Sequence, residues 1–207
     1  MNKSAIILAG GVSSRFGEDK GIVKLAGKPL LRYVIDVVYP VVEEIIIVTR
    51  TMKRAKVYRE LVPPSVRFIA DEYETTGPLV GSLTGFTAAK GKYCVVLPFD
   101  TPFISRELVS LLFDLCVGRS AVIPRWPNGQ IEPLHAVYRI DAAKAAAEAT
   151  LAEGRLDMRG MIERMRSVRF LSTLVISQVD PELRNFFNIN TPLDLKRAEA
   201  MLKHGKK

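Results

Sequence analysis

Short apolar runs alternate with segments of helical spacing along most of this chain. Ala5 to Ala9, Ile45 to Thr49, Val66 to Ala70, Tyr93 to Leu97 and Ala121 to Ile123 are brief and rich in Ile, Val or Leu. Such runs predict strands buried on both faces, the signature of a parallel sheet. Between them, Pro29 to Val38 opens on a proline suited to a first helical turn. Lys53 to Leu61 is mixed, Pro78 to Ala89 is rich in small residues, and Glu107 to Cys116 is amphipathic behind Ser105 as its cap. The βαβα rhythm predicts an α/β fold: a three-layer α/β/α sandwich around a mostly parallel, Rossmann-like sheet.

After about residue 124 the rhythm changes. Arg125 to Gln130 reads as a turn, followed by an extended Glu132 to Ile140 and the alanine-rich helix Asp141 to Ala152. This stretch reads as an insertion lying over one edge of the sheet. Met158, Met161, Ile162 and Met165 then recur at helical spacing and are expected in the core, with Arg155, Arg159, Arg164 and Arg166 on the other faces. The chain closes with Asn185 to Asn190, a Thr191-Pro192 helix start and the helix Leu193 to Leu202.

Length and composition keep this picture to one domain. The 207 residues are 48% hydrophobic and 25% charged, inside the globular range. The βα-alternating part is expected over about 1–124, an insertion and closing helix over about 125–203, and a basic tail over 203–207. No apolar run approaches the ~18 residues that would span a bilayer, so a cytoplasmic protein without a membrane contact is expected. Cys94 and Cys116 lack CxxC spacing and read as reduced core residues. The formal charge of +8 fits either simple solubility or a polyanionic partner, nucleic acid or phosphorylated small molecule.

Chemistry concentrates at predicted strand ends. Leu8-Ala9-Gly10-Gly11 continues through Ser14-Arg15-Phe16-Gly17 to Asp19-Lys20, directly after the first strand. Glycines there let backbone N–H groups approach an anion, and Arg15 and Lys20 add positive charge for a triphosphate. The spacing is neither GxGxxG nor GxxxxGK[ST], which argues against a dinucleotide site or a Walker loop. Asp100, in Leu97-Pro98-Phe99-Asp100-Thr101-Pro102, ends another apolar strand at the same edge and could act with Mg²⁺ on phosphate oxygens. Asn190 could add a neutral oxygen ligand, although Asn188 and Asn190 equally suit turn and capping roles.

These motifs, followed by Gly27-Lys28-Pro29-Leu30, Asp71, Gly77-Pro78-Leu79-Val80-Gly81 and Asn188-Ile189-Asn190-Thr191-Pro192, resemble the MobA-like nucleotidyltransferases, specifically the molybdenum cofactor guanylyltransferase series, over nearly the whole chain. The resemblance implies the nucleotide-diphospho-sugar transferase type of fold. It also implies transfer of GMP from GTP to the terminal phosphate of molybdopterin or Mo-molybdopterin, with pyrophosphate leaving. By the same resemblance Leu8, Ala9, Gly10 and Gly11 line the nucleotide pocket, Arg15 and Lys20 hold phosphates, Asp71 takes the guanosine, and Asp100 holds magnesium with Asn190 beside it. His135, in Pro133-Leu134-His135-Ala136, stands in the acceptor-side segment, where a purely structural histidine is an equal reading. Transient contact with other proteins of molybdenum cofactor synthesis is implied.

Three positions depart from the family pattern. Thr49-Arg50-Thr51 replaces the usual polar residue after the second strand, leaving that nucleotide contact unassigned; Phe16 replaces a methionine, and Pro98-Phe99 precedes Asp100. The Gly10-Gly11 and Gly-Pro-Leu-x-Gly forms favour GTP over CTP. Alternatives are a related transferase using CTP or a sugar-phosphate acceptor, and a noncatalytic nucleotide- or RNA-binding module. The last fits poorly, for no aromatic RNA-binding motif accompanies the charge, and no nucleic acid is expected.

Overall fold

The Ile- and Val-rich runs become strands of one seven-stranded sheet, seen in a computed structural model that describes residues 2–10, 20–71, 73 and 75–204. The sheet comprises β1 (Lys3–Ala9), β4 (Glu44–Thr49), β5 (Arg67–Ala70), β6 (Tyr93–Pro98), β7 (Ala121–Arg125), β8 (Ala136–Arg139) and β9 (Val168–Ser172), in the spatial order β5-β4-β1-β6-β8-β7-β9. A two-stranded hairpin, β2 (Lys24–Leu25) with β3 (Lys28–Pro29), precedes helix α1 (Leu30–Val38). Residue alternation sorts the two faces of β1. Ala5, Ile7 and Ala9 join one core, and Ile6 joins the other.

The first core is closed by α1 and α4 (Arg106–Cys116), with Tyr58 of α2 (Met52–Arg59) packed among them. Leu31, Val34, Ile35 and Val38 recur at helical spacing and are fully buried, so α1 docks along one stripe. Ser105 caps α4 as expected, its side chain accepting from the Leu108 amide. The opposite core is closed by α3 (Pro78–Ala88), α5 (Ile140–Ala152) and α6 (Met158–Arg164). Met158 and Met161 are buried in it, as their spacing predicts. Helix α3 lies unusually close to β1: a Cβ built on Gly85 would stand 2.4 Å from Ile6 Cγ2. Cys94 and Cys116 are buried free thiols.

The three-layer α/β architecture therefore holds, with one rearrangement. The stretch after residue 124 does not lie over an edge: β8 enters the sheet between β6 and β7, antiparallel to both. It is buried on both faces at Ala136, Val137 and Tyr138, so it carries the same continuous apolar signature as a parallel strand. Beyond it, β9 pairs parallel to β7 and leads through α7 (Thr173–Ile176) towards α8 (Pro192–His204). Among the described residues no helix is long and apolar enough to cross a membrane.

Candidate active site

The strand order fixes where a ligand can enter. From β1 the chain passes to β4 and β5 on one side, then returns to β6 on the other, so the carboxyl ends of β1, β4 and β6 diverge around a crevice. A cavity of about 340 Å³ opens there, within the range of small-molecule sites. Leu8 and Gly10 reach it from β1, Thr49 and Arg50 from β4, Asp71 from β5, and Asp100 from β6. The start of α3 forms a further wall through Gly77, Pro78 and Gly81. Gly81 makes room: a Cβ on it would touch the Leu8 side chain at 3.4 Å.

At one end of the cavity three groups far apart in sequence converge. The Lys20 ammonium pairs with Asp100 Oδ2 and donates to Asn190 Oδ1 at 2.7 Å. The backbone joins the same elements, because the Ile189 amide donates to the Asp100 carbonyl at 3.0 Å. Asn190 is held in turn by the start of α8, where Asp194 Oδ2 accepts from the Asn190 and Thr191 amides and from the Thr191 hydroxyl. Both charged side chains are largely withdrawn from water, Lys20 at 10% exposure and Asp100 at 14%. Asp100 Oδ1 is buried with no hydrogen-bond partner among the described residues. A buried carboxylate oxygen left unpaired costs free energy unless a ligand or ion completes it.

The other end of the cavity is built around Asp71. Its Oδ1 accepts from the Thr84 hydroxyl and the Tyr73 amide, each at 3.3 Å. Arg50 ties this loop to β4 by donating to the Tyr73 carbonyl at 3.1 Å, and Arg54 of α2 donates to the Gly10 carbonyl at 3.3 Å. Arg50 thus occupies the place left unassigned in the sequence. Its position just past a buried strand, at the carboxyl edge, is the signal that points to it.

Not every candidate residue meets at this crevice. Gly11 and Arg15 lie outside the described residues. Ala9 is buried in the core beneath Gly10. His135 is 2% exposed and does not line this cavity; its ring stands edge-on to Phe186 at 5.3 Å. Both its nitrogens lack a hydrogen-bond partner among the described residues, and burial pushes its pKa down to about 3. Its neighbour Leu134, which the sequence reading did not single out, is the one that reaches the cavity wall.

The donor set suits a hard divalent cation. Asp100 offers an orphaned carboxylate oxygen and Asn190 a neutral amide oxygen, both ligand types that magnesium accepts. Among the described residues no three His, Cys, Asp or Glu side chains gather, so such an ion would draw its remaining ligands from phosphate oxygens and water.

The chain resembles known proteins in sequence and in fold. A family model described as the MobA-like NTP transferase domain matches residues 5–178. A Methanosarcina mazei protein named "Probable molybdenum cofactor guanylyltransferase" is 34% identical over 99% of this chain and 92% of its own length. The crystal structure of molybdopterin-guanine dinucleotide biosynthesis protein A from Archaeoglobus fulgidus superposes with a TM-score of 0.82 at 30% identity, covering 97% of this chain and 99% of that one. The fold extends to 4-diphosphocytidyl-2C-methyl-D-erythritol synthase from Anaerococcus prevotii, with a TM-score of 0.74 at 19% identity over 98% of this chain and 96% of that one.

Proposed function

The chain belongs to the MobA-like NTP transferase family, and from that premise we propose that it transfers GMP from GTP to the terminal phosphate of molybdopterin or its molybdenum-loaded form. The observation that carries the reading is the convergence of Lys20, Asp100 and Asn190 at the end of a cavity whose opposite wall is Asp71. A nucleotide laid across it would put its base beside Asp71 and its phosphates beside Lys20. Leu8 and Gly10 would lie under the nucleoside, while the phosphate roles of Gly11 and Arg15 rest on the resemblance of their motif.

In the reaction an oxygen of the acceptor's phosphate monoester attacks the α-phosphorus of GTP. The bond from that phosphorus to the bridging oxygen breaks, and pyrophosphate leaves with the electron pair. The acceptor phosphate has a second pKa of about 6, so it arrives ionised at neutral pH and needs no general base. That suits a site whose nearby histidine, His135, is buried and neutral. The chain's task is alignment and charge relief. Lys20 is fixed by Asp100 and Asn190 before substrate arrives, so its ammonium does not have to be reorganised when two polyanions meet. Mg²⁺ held by Asp100 and Asn190 would neutralise phosphate charge and ease departure of pyrophosphate.

The same reading makes residues to about 124 the nucleotide side and about 125–203 the acceptor side of one domain. It places the protein in the cytoplasm, where its two free thiols stay reduced. The test is pyrophosphate release with Mg²⁺ and each of the four nucleoside triphosphates, with and without molybdopterin. Release confined to GTP plus molybdopterin is expected. Preference for CTP would overturn the base assignment, and release without dependence on any acceptor would overturn the transfer.

A further inference from the structure

Four arginines lie close together between residues 155 and 166, and the structure separates them. Arg155 is paired with Asp157 and Glu163, and Arg164 with Glu153. Arg159 and Arg166 have no ion pair or hydrogen bond among the described residues. Arg159 lines a cavity. That cavity, of about 440 Å³, lies between the start of α6 and the Gln130–Leu134 turn, with Ile131, Leu134, Leu156 and Met158 as apolar walls.

Its position gives it a use. Pro78 and Leu134 line both this cavity and the nucleotide cavity, so the two share a wall. Gly77 adds a second contact between them, since a Cβ on it would stand 3.7 Å from the Leu156 carbonyl. Leu134 and Asp100 both line the nucleotide cavity, so the wall that the second cavity shares belongs to the same crevice as the Asp100 carboxylate. The second cavity therefore presents an apolar trough, the Gln130 amide and one uncompensated guanidinium. The carboxylate beside it does not cancel that charge: Asp157 is engaged by Arg155 and by the Gly160 amide at 2.7 Å.

We propose that this second cavity is the acceptor subsite, seating the flat ring system of the acceptor on Ile131, Leu134 and Met158 while Arg159 binds its anionic dithiolene or metal–oxo end. The inference rests on the transfer reading above, and it assigns the half of the site that reading leaves empty. An acceptor seated there has its rings anchored on one side of Leu134 and its phosphate free to pass the shared wall towards Lys20 and Asp100. A planar, anion-capped molecule matches the lining in both shape and charge; a sugar phosphate, polar on all sides, does not match the apolar trough.

Steady-state transfer by the full-length protein, varying GTP and molybdopterin separately, tests the assignment. Arg159→Ala is expected to raise KM for molybdopterin at least tenfold, with KM for GTP within twofold of the parent, and Arg159→Lys to recover part of the loss. Leu156→Trp, which narrows the trough from an exposed position, should raise the same constant severalfold. Arg166→Ala, equally unpaired but outside the cavity, should leave both constants unchanged. Equal effects of Arg159→Ala and Arg166→Ala would reduce the arginine to general charge attraction and overturn the subsite. No effect of Arg159→Ala or Leu156→Trp, in an enzyme still dependent on Asp100, would overturn it while leaving the transfer reading intact. Loss of acceptor dependence altogether would instead refute the transfer reading.

Discussion

Replacing Lys20 by methionine keeps the apolar stem of the side chain and removes one charge from the convergence at the cavity end. In the folded protein this leaves Asp100, only 14% exposed, without its cation, and leaves Asn190 Oδ1 without its donor. Breaking one side of a buried pair costs about 3–5 kcal/mol. Residual exposure of both partners puts this pair at the lower end, about 3 kcal/mol. For a chain of this size that corresponds to a fall in melting temperature of roughly 6–12 °C. Because the residual carboxylate and amide oxygens still suit a hard cation, millimolar Mg²⁺ should return part of that stability to the variant and little to the parent. The assay is urea unfolding with and without Mg²⁺, beside steady-state transfer, where kcat/KM for GTP should fall at least tenfold, about 1.4 kcal/mol in the barrier. A variant as stable as the parent and unchanged in kcat/KM would refute both the coupling of the three groups and the phosphate role of Lys20.

Other expectations follow from individual contacts. Asp71→Asn should lower the preference for GTP over ITP, which lacks the 2-amino group, by about tenfold, as expected for loss of a charged hydrogen bond of about 1.5 kcal/mol; an unchanged ratio in competition assays would place the base elsewhere. Gly85→Ala should destabilise the fold by about 1–3 kcal/mol in urea without changing KM, because the added methyl meets Ile6. His135 is held neutral in the fold, so its contribution is complete above its unfolded pKa near 6.5 and is lost as pH falls from there towards about 3. Stability measured against pH should therefore decline less steeply below 6.5 in His135→Phe than in the parent, by up to about 1 kcal/mol per pH unit. Burial pushes the Cys116 thiol up to about 12 and raises Cys94 as well, so neither should react with a thiol reagent at neutral pH until the protein is unfolded.

The sequence reading succeeds where one physical signal dominates. Continuous apolar runs marked β1, β4, β5, β6 and β7, and Ser105 and the buried methionines behaved as their spacing requires. The sequence marks β8 as extended but not its place in the sheet, since a strand buried on both faces shows no alternation to reveal that it runs antiparallel. Strand β9 carries no such signal, because Val168 and Arg169 are only half-buried, Phe170 is exposed, and the arginine interrupts the apolar run. The site shows the same division. Lys20, Asp100 and Asn190 could each be named from local motifs, but their hydrogen bonds span 80 and 170 residues and exist only because β1 and β6 are neighbours and α8 packs back over the hairpin. Arg50 and Leu134 carry no motif; only the strand order gives them their places.

The central claim is a transfer between two bound substrates, and the product tests it most directly. The protein should be incubated with Mg²⁺, GTP labelled at the α-phosphate and molybdopterin, and the label followed by chromatography and mass spectrometry. The account predicts label in a molybdopterin guanine dinucleotide, formed in equal amount to pyrophosphate and abolished in Asp100→Ala. Label remaining in GTP or appearing as free GMP, in a folded protein with competent acceptor, would contradict it.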